Sequence, residues 1–284
     1  MSAVAYVNGA YRPLSEAAVH IEDRGFQFGD AIYEVWGVRD GRLLDTEGHL
    51  ARLNRSLREL KIARPMGDGP LMVVVREIMR RNRVRNGLVY LQVSRGQAAR
   101  DHAFPQPSVK PTLVLTAKSL NPATYSKRYA NGVSVVTTPE VRWARCDIKS
   151  VNLLPNVLAK EGARAAGALE AWFVDGDGYV TEGAASTAWI VDAKGRLRTP
   201  PLSDRILHGV TRAHVLKLAA ERQIALLEEP FTPAEAQNAK EAFITSASNV
   251  CVPVVKIDGA PVGDGKPGPM AATLRDAYFG ARTE

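Results

Sequence analysis

The feature that most limits how this chain can fold is the alternation of short apolar segments with amphipathic segments of helical period. In the first third, residues 3–7, 31–38 and 87–94 are rich in β-branched and aromatic side chains and are predicted to be strands. Leucines recur at helical spacing over 50–60, and the hydroxyl of Thr46 is placed to cap that helix. The pattern predicts a mixed protein of the α+β or α/β class.

The polar stretch Ser119–Gly132 is the best candidate for a domain boundary. It carries a proline and a glycine and shows no clear hydrophobic period. At a typical size of about 150 residues per domain, a chain of 284 residues predicts two domains. We expect an N-terminal domain over 1–120, a linker over 121–132 and a C-terminal domain over 133–284. Within the C-terminal domain we predict a strand, a helix, a hairpin turn, a second helix and a further strand, at 133–137, 152–166, 175–178, 210–222 and 242–245.

The charge balance does not by itself indicate a function. The chain has 37 Lys and Arg against 30 Asp and Glu, and the densest basic run, 76–85, is predicted to be helical. No aromatic side chains alternate with these arginines, so a solvated helix face is favoured over a nucleic-acid site. No apolar run approaches the roughly 18–20 residues of a membrane span, so no membrane partner is expected.

The cysteines and histidines do not indicate a metal site. Cys146 and Cys251 are too few for a disulfide framework and too far apart for a metal knuckle, and the five histidines form no motif. Both cysteines are therefore expected to be small buried residues. The N-terminus lacks the pattern of a secretory signal, so a reduced cytoplasmic compartment is expected.

Three local features are typical of cofactor chemistry, although each also has an ordinary explanation. Lys149 lies in an apolar neighbourhood, which disfavours its charged ammonium form and suits condensation with an aldehyde. Glu182 is predicted to end a strand, where a carboxylate can hold a protonated pyridine nitrogen. Gly209, Val210 and Thr211 open a predicted helix, whose N–H groups suit a phosphate. Taken singly, these are equally a surface lysine, a turn carboxylate and a glycine-started helix.

Several motifs in a consistent order add to these features. They are EDRGFQFGDAIYEV, DIKSVNLLPNVLAK, VTEG, LHGVTR and FITSAS, at 22–35, 147–160, 180–183, 207–212 and 243–248. In this order and over nearly the whole chain, the sequence resembles the fold-type IV pyridoxal-phosphate aminotransferases. That family contains D-amino-acid and branched-chain aminotransferases and aminodeoxychorismate lyase. The resemblance implies a two-domain fold with pyridoxal 5′-phosphate between the domains.

The resemblance also assigns roles to residues of this chain. Lys149 matches the Schiff-base lysine, which later moves a proton between the substrate Cα and the cofactor. Glu182 matches the carboxylate that pairs with the pyridine nitrogen. The residues matching the remaining cofactor contacts are the phosphate-binding Arg52, the helix-terminal donors Val210 and Thr211, and Leu207 on the ring face.

The loop SRGQAARDHAFP distinguishes subgroups of this family. Its Arg100 and His102, together with Tyr33, resemble the trap for the substrate α-carboxylate in D-amino-acid aminotransferases, where the loop comes from the neighbouring subunit. A guanidinium can bind a planar carboxylate through two parallel hydrogen bonds. The resemblance therefore implies a homodimer that transfers the amino group of a D-amino acid such as D-alanine to 2-oxoglutarate, by a ping-pong reaction through a pyridoxamine form.

The alternatives are a branched-chain L-amino-acid aminotransferase and aminodeoxychorismate lyase, and, from a different class, a basic binding protein without cofactor. Two positions depart from the D-amino-acid pattern. Ala247 stands where a threonine often contacts the phosphate, so Ser246, Ser248 or backbone amides would have to replace it. Thr187 stands where an asparagine is common.

Overall fold

The structure is a computed structural model that describes residues 3–280. The contacts between residues divide the chain into two compact units. The first unit contains the described residues up to Asn121 together with Ile148–Asn152, and the second contains Pro122–Asp147 and the described residues from Leu153 onward.

The first unit is a six-stranded antiparallel sheet covered by helices. Its elements in chain order are β1 (Val4–Val7), β2 (Ala10–Pro13), a short 3₁₀ helix (Leu14–Glu16), α1 (Arg24–Phe28), β3 (Ala31–Arg39), β4 (Arg42–Leu43), α2 (Thr46–Glu59), α3 (Asp68–Arg81), β5 (Gly87–Ser94) and β6 (Thr112–Ser119). The strands lie in the order β2-β1-β6-β5-β3-β4. One apolar core, with Trp36, Val75 and Leu91 fully buried, joins the sheet to α2 and α3.

Strand β3 positions functional groups on both faces of this sheet. Successive side chains of a strand point to opposite faces. Glu34 is fully buried and contacts α2, whereas its neighbour Tyr33 is half-buried and contacts Lys149. The register of β3 against β5, with Ile32 opposite Val93 and Trp36 opposite Val89, therefore determines which groups reach each face.

The second unit is built on a nine-stranded mixed sheet. Its elements are α4 (Pro122–Asn131), β7 (Val133–Pro139), α5 (Leu154–Ala165), β8 (Glu170–Val174), β9 (Val180–Gly183), β10 (Thr187–Val191), β11 (Leu197–Thr199), α6 (Val210–Glu221), β12 (Leu226–Glu228), α7 (Pro233–Gln237), β13 (Glu241–Thr245), β14 (Val252–Ile257), β15 (Ala260–Pro261) and α8 (Pro269–Gly280). The strand order is β12-β11-β10-β13-β14-β7-β8-β9, with β15 beside β14. Trp172 and Phe231 pack edge to face in its core.

The predicted mixture of helices and strands is confirmed, and three details differ. Residues 121–132 were expected to be a linker, but 122–131 form α4, in which Tyr129 packs against the core of the second unit. The helix predicted at Thr46 does begin there, but its cap residue is Asp45, so the Thr46 hydroxyl is not the cap. The basic helix ends at Arg81, so the arginines at 83 and 85 lie beyond it.

The lysine segment also differs from the expected domain division. Residues 133–284 were assigned to one domain, yet Ile148–Asn152 belongs to the first unit. The reason is a strip of backbone hydrogen bonds to β3. The Tyr33 N–H donates to the Lys149 carbonyl at 3.0 Å, and the Val151 N–H donates to the Ala31 carbonyl at 3.1 Å. Over residues 3–280, no helix has the length and apolarity needed to cross a bilayer.

Candidate active site

Lys149 lies on the strip that extends the first sheet beside β3. Its side chain is half-buried, and its Nζ lies 4.1 Å from the centre of the Tyr33 ring. A cation over an aromatic face at this distance is an attractive contact. Tyr33 also stacks on Tyr90, with ring centres 5.8 Å apart. The structure therefore brings together two residues that the sequence analysis placed in different roles.

Arg52 lies on α2 in a buried charged cluster with Glu34 and His49. Its Nε and Nη2 donate to Oε1 and Oε2 of Glu34 at 2.7 and 2.8 Å. Burial alone would raise the pKa of Glu34, but the charge and hydrogen bonds of Arg52 outweigh it and lower the pKa to about 2. Nδ1 of His49 lies 2.8 Å from Glu34, and burial lowers the pKa of His49, which favours a neutral imidazole. Glu34 therefore holds the guanidinium that the sequence analysis assigned to phosphate.

Sequence reasoning missed both Glu34 and His49. A signal was present, because a glutamate on a strand that is otherwise apolar must find a buried cation. His49 and Arg52 are three residues apart on α2, and this spacing puts both on the helix face that contacts Glu34.

Arg100 and His102 lie on the exposed loop that follows β5. The Arg100 guanidinium carbon lies 5.2 Å from the centre of the Phe28 ring, and the His102 ring centre lies 5.4 Å from it. Among the described residues, no hydrogen bond, ion pair or ring contact joins either side chain to Tyr33 or Lys149. Within one chain, the three predicted substrate residues therefore do not meet.

Glu182 lies near the end of β9 in the second unit, as predicted, and is buried. Its carboxylate forms an ion pair with Arg142, and both of its oxygens accept from the Leu207 N–H at 3.2 Å. Burial raises the pKa of Glu182, while Arg142 and the Leu207 amide act in the opposite direction. Arg142 is also paired with Glu140 at 2.6 Å. Arg142 was not identified from the sequence, because only the fold brings residue 142 next to residue 182.

Helix α6 begins at Val210, immediately after Gly209, as predicted. Among the described residues no side chain caps it, so its first N–H groups face outward along the positive end of the helix dipole. A Cβ at Gly209 would lie 3.1 Å from the Cβ of Arg212 and 3.2 Å from Oγ1 of Thr187. The helix end is therefore crowded next to Arg212 and Thr187, and its first N–H groups suit an anion from outside the protein.

Ser246 and Ala247 lie in the turn after β13. Oγ of Ser246 accepts from the Asn249 N–H at 3.1 Å and lies 3.3 Å from Oγ of Ser248. These contacts close the turn, so the serine hydroxyls that would replace the missing threonine already have partners within the protein.

The groups described above are an amine beside a phenol, a buried carboxylate paired with arginine, and an uncapped helix end. They agree with the groups that the resemblance to the aminotransferases implies. The family model described as "Amino-transferase class IV" matches residues 31–257, so the chain belongs to the class IV aminotransferases. It is 41% identical over 276 residues to the D-alanine aminotransferase of Staphylococcus haemolyticus, covering 96% of this chain and 95% of that protein. The D-alanine aminotransferase of Bacillus licheniformis is 40% identical over 270 residues, covering 95% and 94%.

A solved structure supports the same fold. The branched-chain aminotransferase of the archaeon Thermoproteus uzoniensis, solved with norvaline, matches with a TM-score of 0.82 and 25% identity, covering 100% of this chain and 97% of that one. A further branched-chain amino acid aminotransferase, solved with pyridoxamine 5′-phosphate, matches with a TM-score of 0.88 at the same identity. The predicted family and fold class are thereby confirmed, and the chain is an aminotransferase that depends on pyridoxal 5′-phosphate.

The groups found in each unit fit that cofactor chemically. Lys149 of the first unit carries an amine of the kind that condenses with an aldehyde, and Arg52 carries a guanidinium of the kind that binds a phosphate. The buried carboxylate of Glu182 in the second unit suits a protonated ring nitrogen, and the α6 N–H groups of Val210 and Thr211 suit a phosphate.

Proposed function

We propose that the protein is a D-amino-acid transaminase, which transfers the amino group of D-alanine or a similar D-amino acid to 2-oxoglutarate or a similar 2-oxo acid. The observation that carries the proposal is the identity of about 40% to D-alanine aminotransferases over 96% of the chain. The branched-chain enzymes mentioned above are only 25% identical, which supports the alternative less well. The presence of Tyr33, Arg100 and His102 also favours the D-amino-acid class.

The residues proposed to hold the cofactor are those that the family resemblance assigns. When bound, pyridoxal phosphate supplies an aldehyde that condenses with amines and a ring that withdraws electrons. Lys149 would supply the amine for that aldehyde, and its Nζ would move a proton at the substrate Cα. Glu182 accepts a hydrogen bond from the ring nitrogen. The remaining proposed contacts are Arg52, Val210, Thr211, Ser246 and Ala247 with the phosphate and Leu207 with the ring face.

The substrate α-carboxylate is bound by Arg100, His102 and Tyr33. A guanidinium with an imidazole and a phenol offers several donors to one carboxylate. Holding that carboxylate fixes which face of Cα meets the amine of Lys149, and so determines whether D- or L-amino acids react. The contact between Lys149 and Tyr33 supports this arrangement.

We further propose a homodimer in which the loop with Arg100 and His102 serves the site of the neighbouring subunit. The separation of these two residues from Tyr33 within one chain is consistent with this. Helix α5 also exposes an apolar stripe at helical spacing, with Leu154, Val157 and Leu158 at 69%, 58% and 65% exposure. Such a stripe on a surface helix is typical of a protein interface.

The remaining part of the proposal is a cytoplasmic location. Cys146 and Cys251 are both free and buried, which is compatible with a reducing compartment.

The test of the reaction is an amino-donor profile of the purified enzyme with pyridoxal phosphate. We expect D-alanine with 2-oxoglutarate to give pyruvate and glutamate, and L-leucine to react far more slowly. Strong turnover of L-leucine with none of D-alanine would replace the proposal with the branched-chain alternative. Formation of pyruvate from aminodeoxychorismate without any oxo-acid acceptor would indicate the lyase instead.

A second test addresses the amine. Reduction of the cofactor-loaded enzyme with borohydride, followed by peptide mass spectrometry, is expected to locate the pyridoxyl group on Lys149. A pyridoxyl group on another lysine, or on none, would contradict the assignment.

A further inference from the structure

We infer that Arg24 is a positioning residue for substrate binding, because it holds the loop that carries Arg100 and His102. The inference rests on the proposed function, in which these two side chains bind the substrate α-carboxylate. Arg24 lies at the start of α1, and the comparisons with known proteins assign it no role. Its side chain is 4% exposed, so its charge must be satisfied inside the protein.

All three nitrogens of the Arg24 guanidinium have a partner. Nη1 donates to the carbonyl of Asp101 at 2.6 Å, and Nη2 donates to the carbonyl of His102 at 3.3 Å. Nε donates to Oδ2 of Asp30 at 2.8 Å. The two terminal nitrogens of the guanidinium therefore bind the loop backbone at Asp101 and at His102.

Asp30, the acceptor of the Arg24 Nε hydrogen bond, is itself held by further hydrogen bonds. Asp30 also accepts from Arg95, at 2.7 and 2.9 Å, and Arg95 in turn donates to the carbonyls of Leu60 and Lys61. The Arg24 end of α1 is capped by Asp23, which accepts from the Gly25 N–H at 2.9 Å. These contacts hold the loop against α1 and α2 through two buried arginines that share one carboxylate.

The side chains of Arg100 and His102 contact α1, the same helix that binds the loop backbone. The guanidinium carbon of Arg24 lies 4.8 Å from the centre of the Phe28 ring, the ring that also contacts Arg100 and His102. Phe28 is the last residue of α1, and Arg24 is the first. A single turn of helix thus fixes both the backbone and the side chains of the proposed carboxylate trap.

The physical consequence concerns binding more than chemistry. Arginine carries a large side-chain entropy. If Arg100 lay on an unanchored loop, ordering it at each binding event would cause a loss of affinity for the substrate. Anchoring the loop removes part of that loss before the substrate arrives, and leaves the amine of Lys149 unaffected. Arg24 is therefore expected to act on KM for the amino acid and very little on kcat.

The experiment compares Arg24→Lys with a matched surface variant, Arg80→Lys, in the cofactor-loaded enzyme. Lysine keeps the charge beside Asp30 but has one nitrogen and cannot also reach both carbonyls. We expect KM for D-alanine to rise about tenfold, the scale of one lost hydrogen bond to a charged group, with kcat within about twofold. The cofactor absorbance should not change, and Arg80→Lys should match the wild type.

Phe28→Leu provides an independent variant in case Arg24→Lys lowers the yield of folded enzyme. It removes the aromatic face under Arg100 and His102 while leaving the hydrogen bonds of Arg24 in place, and it should also raise KM. An unchanged KM in both variants, or an equal fall in kcat with KM unaffected, would overturn the inference.

A double-mutant cycle separates this inference from the proposed function. In an Arg100→Ala background, Arg24→Lys should raise KM by less than about tenfold, because the part of its effect that passes through Arg100 is already lost. Full additivity would show that Arg24 does not act through Arg100. If Arg100→Ala itself left KM for D-alanine unchanged, the failure would lie in the proposed substrate role and not in the anchoring contact.

Discussion

Replacing Glu34 by glutamine tests whether the buried charged cluster of the first unit is an essential part of its stability. Glu34 is fully buried and accepts two hydrogen bonds from Arg52, with His49 at 2.8 Å. The substitution keeps the shape of the side chain but removes its charge. It therefore removes the negative charge that faces the buried Arg52 guanidinium.

The expected magnitude follows from the pKa of Glu34. The difference between the ordinary value of 4.5 and about 2 corresponds to about 3 kcal/mol in favour of the ionised carboxylate, at about 1.36 kcal/mol per pH unit. Breaking a buried ion pair by removing one partner costs about 3–5 kcal/mol. We therefore expect Glu34→Gln to lower the free energy of unfolding by about 3–5 kcal/mol near neutral pH.

The pH dependence has a definite sign. Because the folded pKa lies below the unfolded one, the contribution of Glu34 is fully present above about pH 4.5 and is lost as the pH falls towards about 2. The difference in stability between wild type and Glu34→Gln should therefore shrink on acidification over that range. Other carboxylates titrate in both proteins, so the difference isolates Glu34.

The assay is urea unfolding of the cofactor-free proteins, followed by circular dichroism at neutral and at acidic pH. The control is Glu77→Gln on α3. Hydrogen bonds from Arg80 and Arg81 also lower the pKa of Glu77 to about 2, but this carboxylate is partly exposed and we expect no measurable change. A Glu34→Gln protein as stable as the wild type near neutral pH, or a difference that grows in acid, would refute the reasoning.

Three further changes have defined outcomes. Lys149→Ala should lower kcat by at least about 10⁴-fold, because no other amine is assigned to the proton transfer. Turnover at the wild-type rate in a steady-state assay would contradict this. Arg142→Gln should lower the free energy of unfolding in urea by about 3–5 kcal/mol, because it leaves the buried Glu182 without its cation. Adding Glu182→Gln should restore part of that loss. A double variant less stable than Arg142→Gln would contradict this. Leu158→Glu should convert the proposed dimer to monomers in analytical ultracentrifugation, while Glu161→Gln on the same helix should not. Identical sedimentation of the wild type and both variants would argue against an interface on α5.

The strands that the sequence predicted best are those with a clear alternation of apolar side chains. Strand β5 was predicted at its observed bounds, Gly87–Ser94, and β3 to within one residue at its end. The start of α6 was also predicted, because Gly209 immediately precedes Val210 and Thr211, which open the helix. In contrast, α4 lies in a polar stretch that carries a proline and a glycine, which led to its assignment as a linker.

The sequence by itself determined the family, the cofactor chemistry and the order of the motifs, since these depend on residue types at fixed spacings along the chain. Only the tertiary structure showed that Glu34 holds Arg52, that Arg142 pairs with Glu182 and that Arg24 grips the loop at Asp101. These partners are 18 to 77 residues apart, and no local pattern relates them. A charge can be buried only where the fold supplies an opposite charge or a carbonyl group, so such pairs are decided by packing and not by spacing.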